Sequence, residues 1–402
     1  MNGAPQNEQW TRSPARSSPP NARSASHTGH ARSGAPIREG SELRGPGLSR
    51  GAAHAHASRI AAALCAIIAL TVYARASRAA EAPPPAAEPA EISVSRLALG
   101  TLVAISVRDP DAARGRAAIE RGFAEIERLE GLLSEWRETS EISALNRRAG
   151  DGWTPVSPDT IAVLEASRAF AAETGGAFDP TVLPLVRLWG FEGGEPVVPD
   201  PKALASTRVR VGWGAIEVDA AAGRARLARP DAEIGLGAIG KGFVADRVLE
   251  GLRAARVPAA MVKASGDLAF YGGTSARPWP IAVEDPAHPG EAIAELELRA
   301  GGVSTSAPTW RSARVGGAQI HHLLDPRTGQ PARGVRSATV VAPEATRSDA
   351  ISTAVFVMGD AGPAFVEARP DLGAVILFDD GRRFASPALD VRWTKPRRTS
   401  AP

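Results

Sequence analysis

Residues 235–267 read GLGAIGKGFVADRVLEGLRAARVPAAMVKASGD. Glycines crowd the opening, apolar residues recur at helical spacing over 243–252, and residues 260–263 form a short apolar strand that stops at Ser265-Gly266-Asp267. Elsewhere too, helical and strand segments are interspersed along the chain. That order predicts an α/β (α+β) fold with mixed sheets and packed helices, and the length suffices for one large or two intimately associated lobes.

Upstream, residues 92–97 and 102–107 alternate about Gly100-Thr101 and predict a strand pair. From Asp111 to Leu133, Ile119, Phe123, Ile126, Leu129 and Leu133 keep helical spacing, with Asp111 placed to serve the first turn. Residues 139–146 predict a capped short helix, and 158–174 a second long helix ended by Gly175-Gly176. Residues 188–191 form an aromatic loop and 193–201 a turn-rich connection, with short strands expected at 208–211, 216–218 and 224–227. Downstream, strands are expected at 281–283, 294–298, 336–341 and 374–378, with a helix over 348–358.

Charge is unevenly placed along the 402 residues, whose formal net charge is +3. Residues 1–90 hold ten arginines and five acidic residues, so the remainder is slightly acidic, with 37 basic and 39 acidic groups. Interspersed charges of both signs give no reason to expect a nucleic-acid partner. Residues 1–58, rich in Ser, Ala, Pro, Gly and Arg, read as disordered or as a mis-annotated leader. Arg59 then precedes a fifteen-residue apolar run, 60–74. As a helix it reaches ~22 Å, short of the roughly 30 Å hydrocarbon layer. Residues 59–80 therefore read as a signal peptide, with an amino-terminal anchor as the alternative, and imply export to the periplasmic side. The single cysteine, Cys65, lies inside that run, so a mature chain lacking it has neither a disulfide nor a thiol nucleophile. Residues 81–91 form a Pro/Ala-rich tether, and 92–396 the folded domain.

Four stretches carry chemistry. The glycines of 235–242 would let backbone amides approach an anion at a helix start, with Lys241 adding charge; a tight strand–helix packing turn is the other reading. Asp267, after the strand, suits a ribose hydroxyl or ring nitrogen, or an ordinary turn. His322 stands beside Leu323-Leu324-Asp325-Pro326, and an imidazole of ordinary pKa near 6.5 accepts a proton from a hydroxyl nucleophile. His321 should point elsewhere in extended chain, leaving one histidine for chemistry and one for structure. Asp349 and Thr353, at i and i+4, share a helix face, with Asp349 expected in the first turn. A carboxylate, a hydroxyl and carbonyl oxygens make a magnesium shell when substrate phosphates complete it; an acidic helix start with a packed threonine is the plainer reading.

Together the segments resemble the ApbE family, the FAD:protein FMN transferases. The resemblance runs from Leu99-Gly100-Thr101 through Ser140-Glu141-Ile142, residues 176–181, 237–242, Gly266-Asp267, Ser304-Thr305-Ser306 and 322–329 to residues 348–354. It implies an exported enzyme that cleaves FAD with a divalent metal and attaches the FMN half, through a phosphodiester, to a Thr or Ser of a partner flavoprotein. By that resemblance Asp349, Thr353 and the carbonyl of Gly240 would ligate magnesium, with manganese or calcium as substitutes. His322 would be the base. Leu99, Glu141, Phe178, Asp179, Lys241, Ser265, Gly266, Asp267, His322 and Asp325 would surround the FAD, and Trp136, Phe178 and Trp189 would offer apolar walls. The acceptor would be a membrane-associated redox subunit. The chain departs from the family pattern at Leu99, where methionine is usual, at 263–267, where Asn-Ile-Gly-Gly-Asp is usual, and at 307–311. An FAD-binding or storage protein, or a magnesium-dependent FAD pyrophosphatase without transfer to protein, are the competing readings, and a ligand-free secreted interaction module is the plainest.

Overall fold

Alternating burial builds the sheet. Strand β1 (Glu91–Ala98) turns into β2 (Thr101–Arg108) through Leu99 and Gly100, both at positive φ (52° and 68°), the pairing of a two-residue hairpin link. Val103, Ile105 and Val107 all face inward, as a period of two demands. The computed structural model describes residues 91–308 and 311–394, which fall within one unit, Pro84–Pro402. The leader, the 59–80 segment and nearly all of the tether lie outside the described residues. Among the described residues no helix is long and apolar enough to cross a membrane. Glu91, assigned to the tether on sequence, is the first residue of β1.

Helix α1 (Ala112–Leu133) is capped by Asp111, whose side chain accepts from the amides of Ala113 and Arg114. Then come α2 (Glu141–Arg147), the short β3 (Thr154–Pro155), α3 (Pro158–Glu173), α4 (Leu183–Leu188) and α5 (Pro201–Arg208). Strands β4 (Ile216–Asp219) and β5 (Arg224–Leu227) form a small sheet with β3, before α6 (Gly240–Ala254). The chain continues through β6 (Ala259–Ala264), β7 (Asp267–Tyr271), β8 (Trp279–Glu284), β9 (Ala292–Leu298) and β10 (Gly301–Ser306). A hairpin of β11 (Ser312–Val315) and β12 (Ala318–His321) precedes β13 (Val335–Ala342), α7 (Ala345–Met358), α8 (Gly362–Glu367), β14 (Gly373–Phe378), β15 (Arg383–Ala385) and β16 (Arg392–Trp393).

The main sheet has the order β1-β2-β6-β7-β10-β13-β14-β15. Helices α1, α6 and α7 cover one face, where Val262, Ala269, Val340 and Ile376 meet Ile119, Val248 and Phe356. The small β16-β9-β8 sheet covers the other, where Phe270, Val303 and Val375 meet Trp279, Ile281 and Leu296. Sheets and packed helices in an α+β arrangement agree with the sequence reading, with one correction of strand direction. Every pairing among the described strands is antiparallel. The helices return the chain antiparallel to the strand it left, rather than as right-handed parallel crossovers.

Two further readings change. Residues 208–211 are not a strand: Asp200 caps a helix with Pro201 in its first turn, and 208–211 close that helix. Helix α7 begins at Ala345, a turn before the expected start, so Asp349 lies in its second turn.

Helices α6 and α7 meet in close contact at Gly242. A Cβ there would run into the carbonyl of Ala345 and stand 2.9 Å from the Cβ of Asp349. Gly242→Ala is therefore expected to destabilise the protein by about 3 kcal/mol through overpacking. The check is a lower urea midpoint at unchanged m-value; a midpoint equal to that of the parent would mean the helices are free to separate.

Candidate active site

Each of the two helices is capped by the other. Neither Ile239 before α6 nor Glu344 before α7 makes a side-chain cap. Instead the Gly242 amide donates to Asp349 Oδ2 at 3.0 Å, placing a carboxylate at the amino terminus of α6. Asp246 of α6 answers by accepting from the amides of Ala345 and Thr346 at 3.0 and 2.7 Å and from the Thr346 hydroxyl at 2.6 Å. The helix-dipole argument for Asp349 thus holds at α6 rather than at its own helix.

One end of the main sheet supplies the remainder. Val103 pairs with Ala264 and Ala264 with Asp267, so the Leu99-Gly100 and Ser265-Gly266 turns lie side by side. Ser265 has φ 59°, a conformation that glycine, usual here in the resembled pattern, adopts without a Cβ penalty. Asp267 is buried and holds the Lys241 ammonium at 3.1 Å, and Lys241 also donates to the Gly237 carbonyl at 3.1 Å. Burial opposes the Lys241 charge, but Asp267 and Asp349 outweigh it and raise its pKa. Burial, then the nearby Asp267 carboxylate, push the Asp349 carboxyl up despite Lys241 and the Gly242 amide.

This donor set fits magnesium. Two buried carboxylates face a single lysine, and Thr353 and the Gly240 carbonyl are hard oxygen donors on the same two helices. Among the described residues no three His, Cys, Asp or Glu side chains gather as a metal-holding group.

The adjacent histidines diverge as alternation requires. His321 is buried, its Nε2 donating to the Ala332 carbonyl at 3.1 Å and its ring edge-on to Phe356. His322 is half-buried, with its Nδ1 3.3 Å from the Arg311 carbonyl and Phe191 at its edge. A carbonyl only accepts, so Nδ1 carries the hydrogen and Nε2 keeps a free lone pair. The ordinary imidazole pKa assumed from sequence does not hold. Burial lowers it to about 4, and Arg311, His321 and Lys241 add to the fall, while the Arg311 carbonyl opposes it.

Lys241, Asp267 and Asp349 are brought together, with His322 in the field of Lys241; Gly240 opens α6 just before Lys241, and Thr353 follows Asp349 by one turn of α7. Other expected site groups are engaged elsewhere. Glu141 accepts from the amide and hydroxyl of Ser157 at the start of α3. Asp179 accepts from the Thr181 and Trp213 amides, and Asp325 closes its own turn with Arg327. Phe178 and Trp189 are each 2% exposed and present no open wall; the Trp189 indole donates to the Gly329 carbonyl, whereas Trp136 is exposed.

The profile of the ApbE family matches residues 99–376. The chain belongs to the ApbE family. It is 32% identical to a Treponema pallidum protein named FAD:protein FMN transferase, over 74% of this chain and 88% of that one. A Klebsiella pneumoniae protein of the same name is 30% identical, over 74% and 86%. The crystal structure of the ApbE protein of Thermotoga maritima superposes with a TM-score of 0.70 at 32% identity, covering 74% of this chain and 97% of that one. The flavin transferase ApbE from Vibrio cholerae gives 0.66 at 27%, covering 74% and 98%.

Within this ApbE fold the sequence reading missed Asp246, although it follows Gly242 by one helical turn on the face that meets α7. It named Ser306 and Ser352 within matched segments but gave no role to either, although Ser306 bonds both Ser352 and Thr353.

The depressed His322 pKa sets a linkage whose sign follows from proton uptake. The unfolded imidazole binds a proton near pH 6.5 and the folded one only near about 4, so its contribution to stability is complete above 6.5 and is lost as pH falls toward 4. His322→Gln is expected to flatten the stability-versus-pH curve between those values in urea titrations. An unchanged slope would show the imidazole to be solvated.

Proposed function

We propose that this chain transfers FMN from FAD to a Thr or Ser hydroxyl of a partner flavoprotein, releasing AMP, in a magnesium-dependent reaction. Membership of the ApbE family, with relatives that bear the name FAD:protein FMN transferase, supports flavin transfer as the chemistry. The observation that carries the finer reading is local. A histidine with a free Nε2 lies in the field of a lysine that two buried carboxylates hold charged.

In this reading His322 Nε2 takes the proton of the acceptor hydroxyl. The freed oxygen forms a bond to the FMN-side phosphorus as the bond from that phosphorus to the bridging oxygen breaks, and AMP departs with that oxygen. Lys241 and the glycine-rich start of α6 hold phosphate oxygens, and Asp267 keeps Lys241 in place. Magnesium bound by Asp349, Thr353 and the Gly240 carbonyl supplies compensation for the negative charge on the diphosphate. A low imidazole pKa keeps the base unprotonated across the neutral range. We place the protein on the exported side, tethered or released according to the fate of residues 59–80, with a membrane-associated redox subunit as acceptor.

Incubation of the purified chain with FAD, magnesium and an acceptor flavoprotein domain tests this. Fluorescent labelling of the acceptor on a denaturing gel is expected. FMN and AMP without labelling would instead make it a pyrophosphatase, and bound intact FAD a storage protein. His322→Ala should cut labelling by about 10²–10⁴-fold while sparing FAD binding. Asp349→Ala should lose activity together with its magnesium dependence.

A further inference from the structure

A ladder of hydroxyls joins β10 to α7. Alternation along the strand turns Ser304 and Ser306 toward the helix, while Thr305 pairs with Thr339 of the neighbouring strand. Ser306 Oγ lies 2.8 Å from Ser352 Oγ and 3.1 Å from Thr353 Oγ1. Ser352 Oγ lies 2.9 Å from the carbonyl oxygen of Asp349. Ser306 and Ser352 are both buried, out of reach of bulk water as a competing partner.

Each hydroxyl has one hydrogen, and a carbonyl can only accept. Ser352 therefore spends its hydrogen on the Asp349 carbonyl. The contact between Ser352 and Ser306 then requires Ser306 to donate, and the contact between Ser306 and Thr353 requires Thr353 to donate. Every proton along the chain Thr353, Ser306, Ser352, Asp349 carbonyl points the same way. The Thr353 hydrogen is directed into the protein, and its lone pairs are left facing outward from the ladder. A hydroxyl that ligates a cation has that same need: lone pair to the metal, hydrogen to an acceptor behind it.

We propose that Ser306 and Ser352 are positioning residues that fix the direction of the Thr353 hydroxyl and so prepare it as a cation ligand. The proposal rests on the reading of Asp349 and Thr353 as ligands and adds what makes a neutral hydroxyl an effective one. The neighbouring rung is an internal control. Ser348 donates to the Ala345 carbonyl at 3.2 Å and Ser304 to Ser348 at 2.9 Å, by the same logic but with no threonine at the end.

The experiment uses the full chain and reads Mn²⁺ binding from the free-ion paramagnetic resonance signal, with and without FAD, beside the magnesium concentration for half-maximal transfer. Thr and Val have the same shape and differ by the hydroxyl. Ser306→Val should weaken Mn²⁺ binding about tenfold, while Ser306→Thr stays within about twofold of the parent. Ser352→Ala should weaken it about threefold although the Ser352 hydroxyl makes no hydrogen bond to Thr353, because Ser306 loses its acceptor and turns its hydrogen toward Thr353. Ser304→Ala should leave Mn²⁺ affinity unchanged. Equal affinity in the Ser306 Val and Thr variants, or an equal loss in both with a lowered melting temperature, would overturn the proposal. Wild-type Mn²⁺ binding by both Thr353→Val and Asp349→Ala would overturn the cation reading itself, and this proposal with it; weakened binding there beside unaffected serine variants would remove the positioning role alone.

Discussion

The constraint on which the site depends is the contact of two helix starts that cannot cap themselves. Helix α6 borrows a carboxylate from α7, and α7 borrows one from α6, across a gap that only glycine at position 242 leaves open. Each cap satisfies backbone amides that would otherwise be buried without partners. Because the two carboxylates sit on opposite helices, sliding or rotating either helix breaks both caps at once. The residues read as phosphate and cation ligands ride on those same helices. Their mutual placement is set by secondary-structure packing rather than by loop conformation, the arrangement that keeps a site preorganised.

Charge follows from that packing. Asp349 and Asp267 are both buried, and Lys241 forms an ion pair with Asp267 and feels the charge of Asp349. Burial first, then the neighbouring Asp267 carboxylate, shifts the Asp349 carboxyl upward, against Lys241 and the Gly242 amide. A place that pushes a carboxyl up in this way favours a further cation beside it. His322 stays outside this balance as a neutral group, since the same poor solvation that raises the acid lowers the base.

Much of this was legible in the amino-acid order, and what was not has identifiable causes. Helix α1 was readable because its apolar period is unbroken and Asp111 caps it locally. The start of α7 was not, because its cap comes from Asp246, about a hundred positions away, and leaves no mark nearby. Helix α5 did announce itself through Asp200-Pro201, but only Leu204 and Thr207 of its eight residues are buried, so no period emerged. Strand direction was hidden as well, for alternation looks the same whichever way a neighbour runs. At the site, the i, i+4 spacing of Asp349 and Thr353 was visible, and the divergence of the two histidines followed from backbone geometry. Their partners and proton affinities did not, because burial belongs to the tertiary structure. Nor did the order show that Phe178 and Trp189 are packed in the interior while Trp136 is exposed.

The hairpin of β1 and β2 has a mechanical meaning. Glu91 opens β1 opposite Arg108, and the strand ends at the Leu99 turn beside the site. Eight residues of extended chain separate the two by roughly 23 Å. Whatever pulls on the polypeptide ahead of Glu91 therefore loads the far corner of an edge strand, through its hydrogen-bonded ladder. The strain enters a full strand length away from the Leu99 turn and the residues beside it.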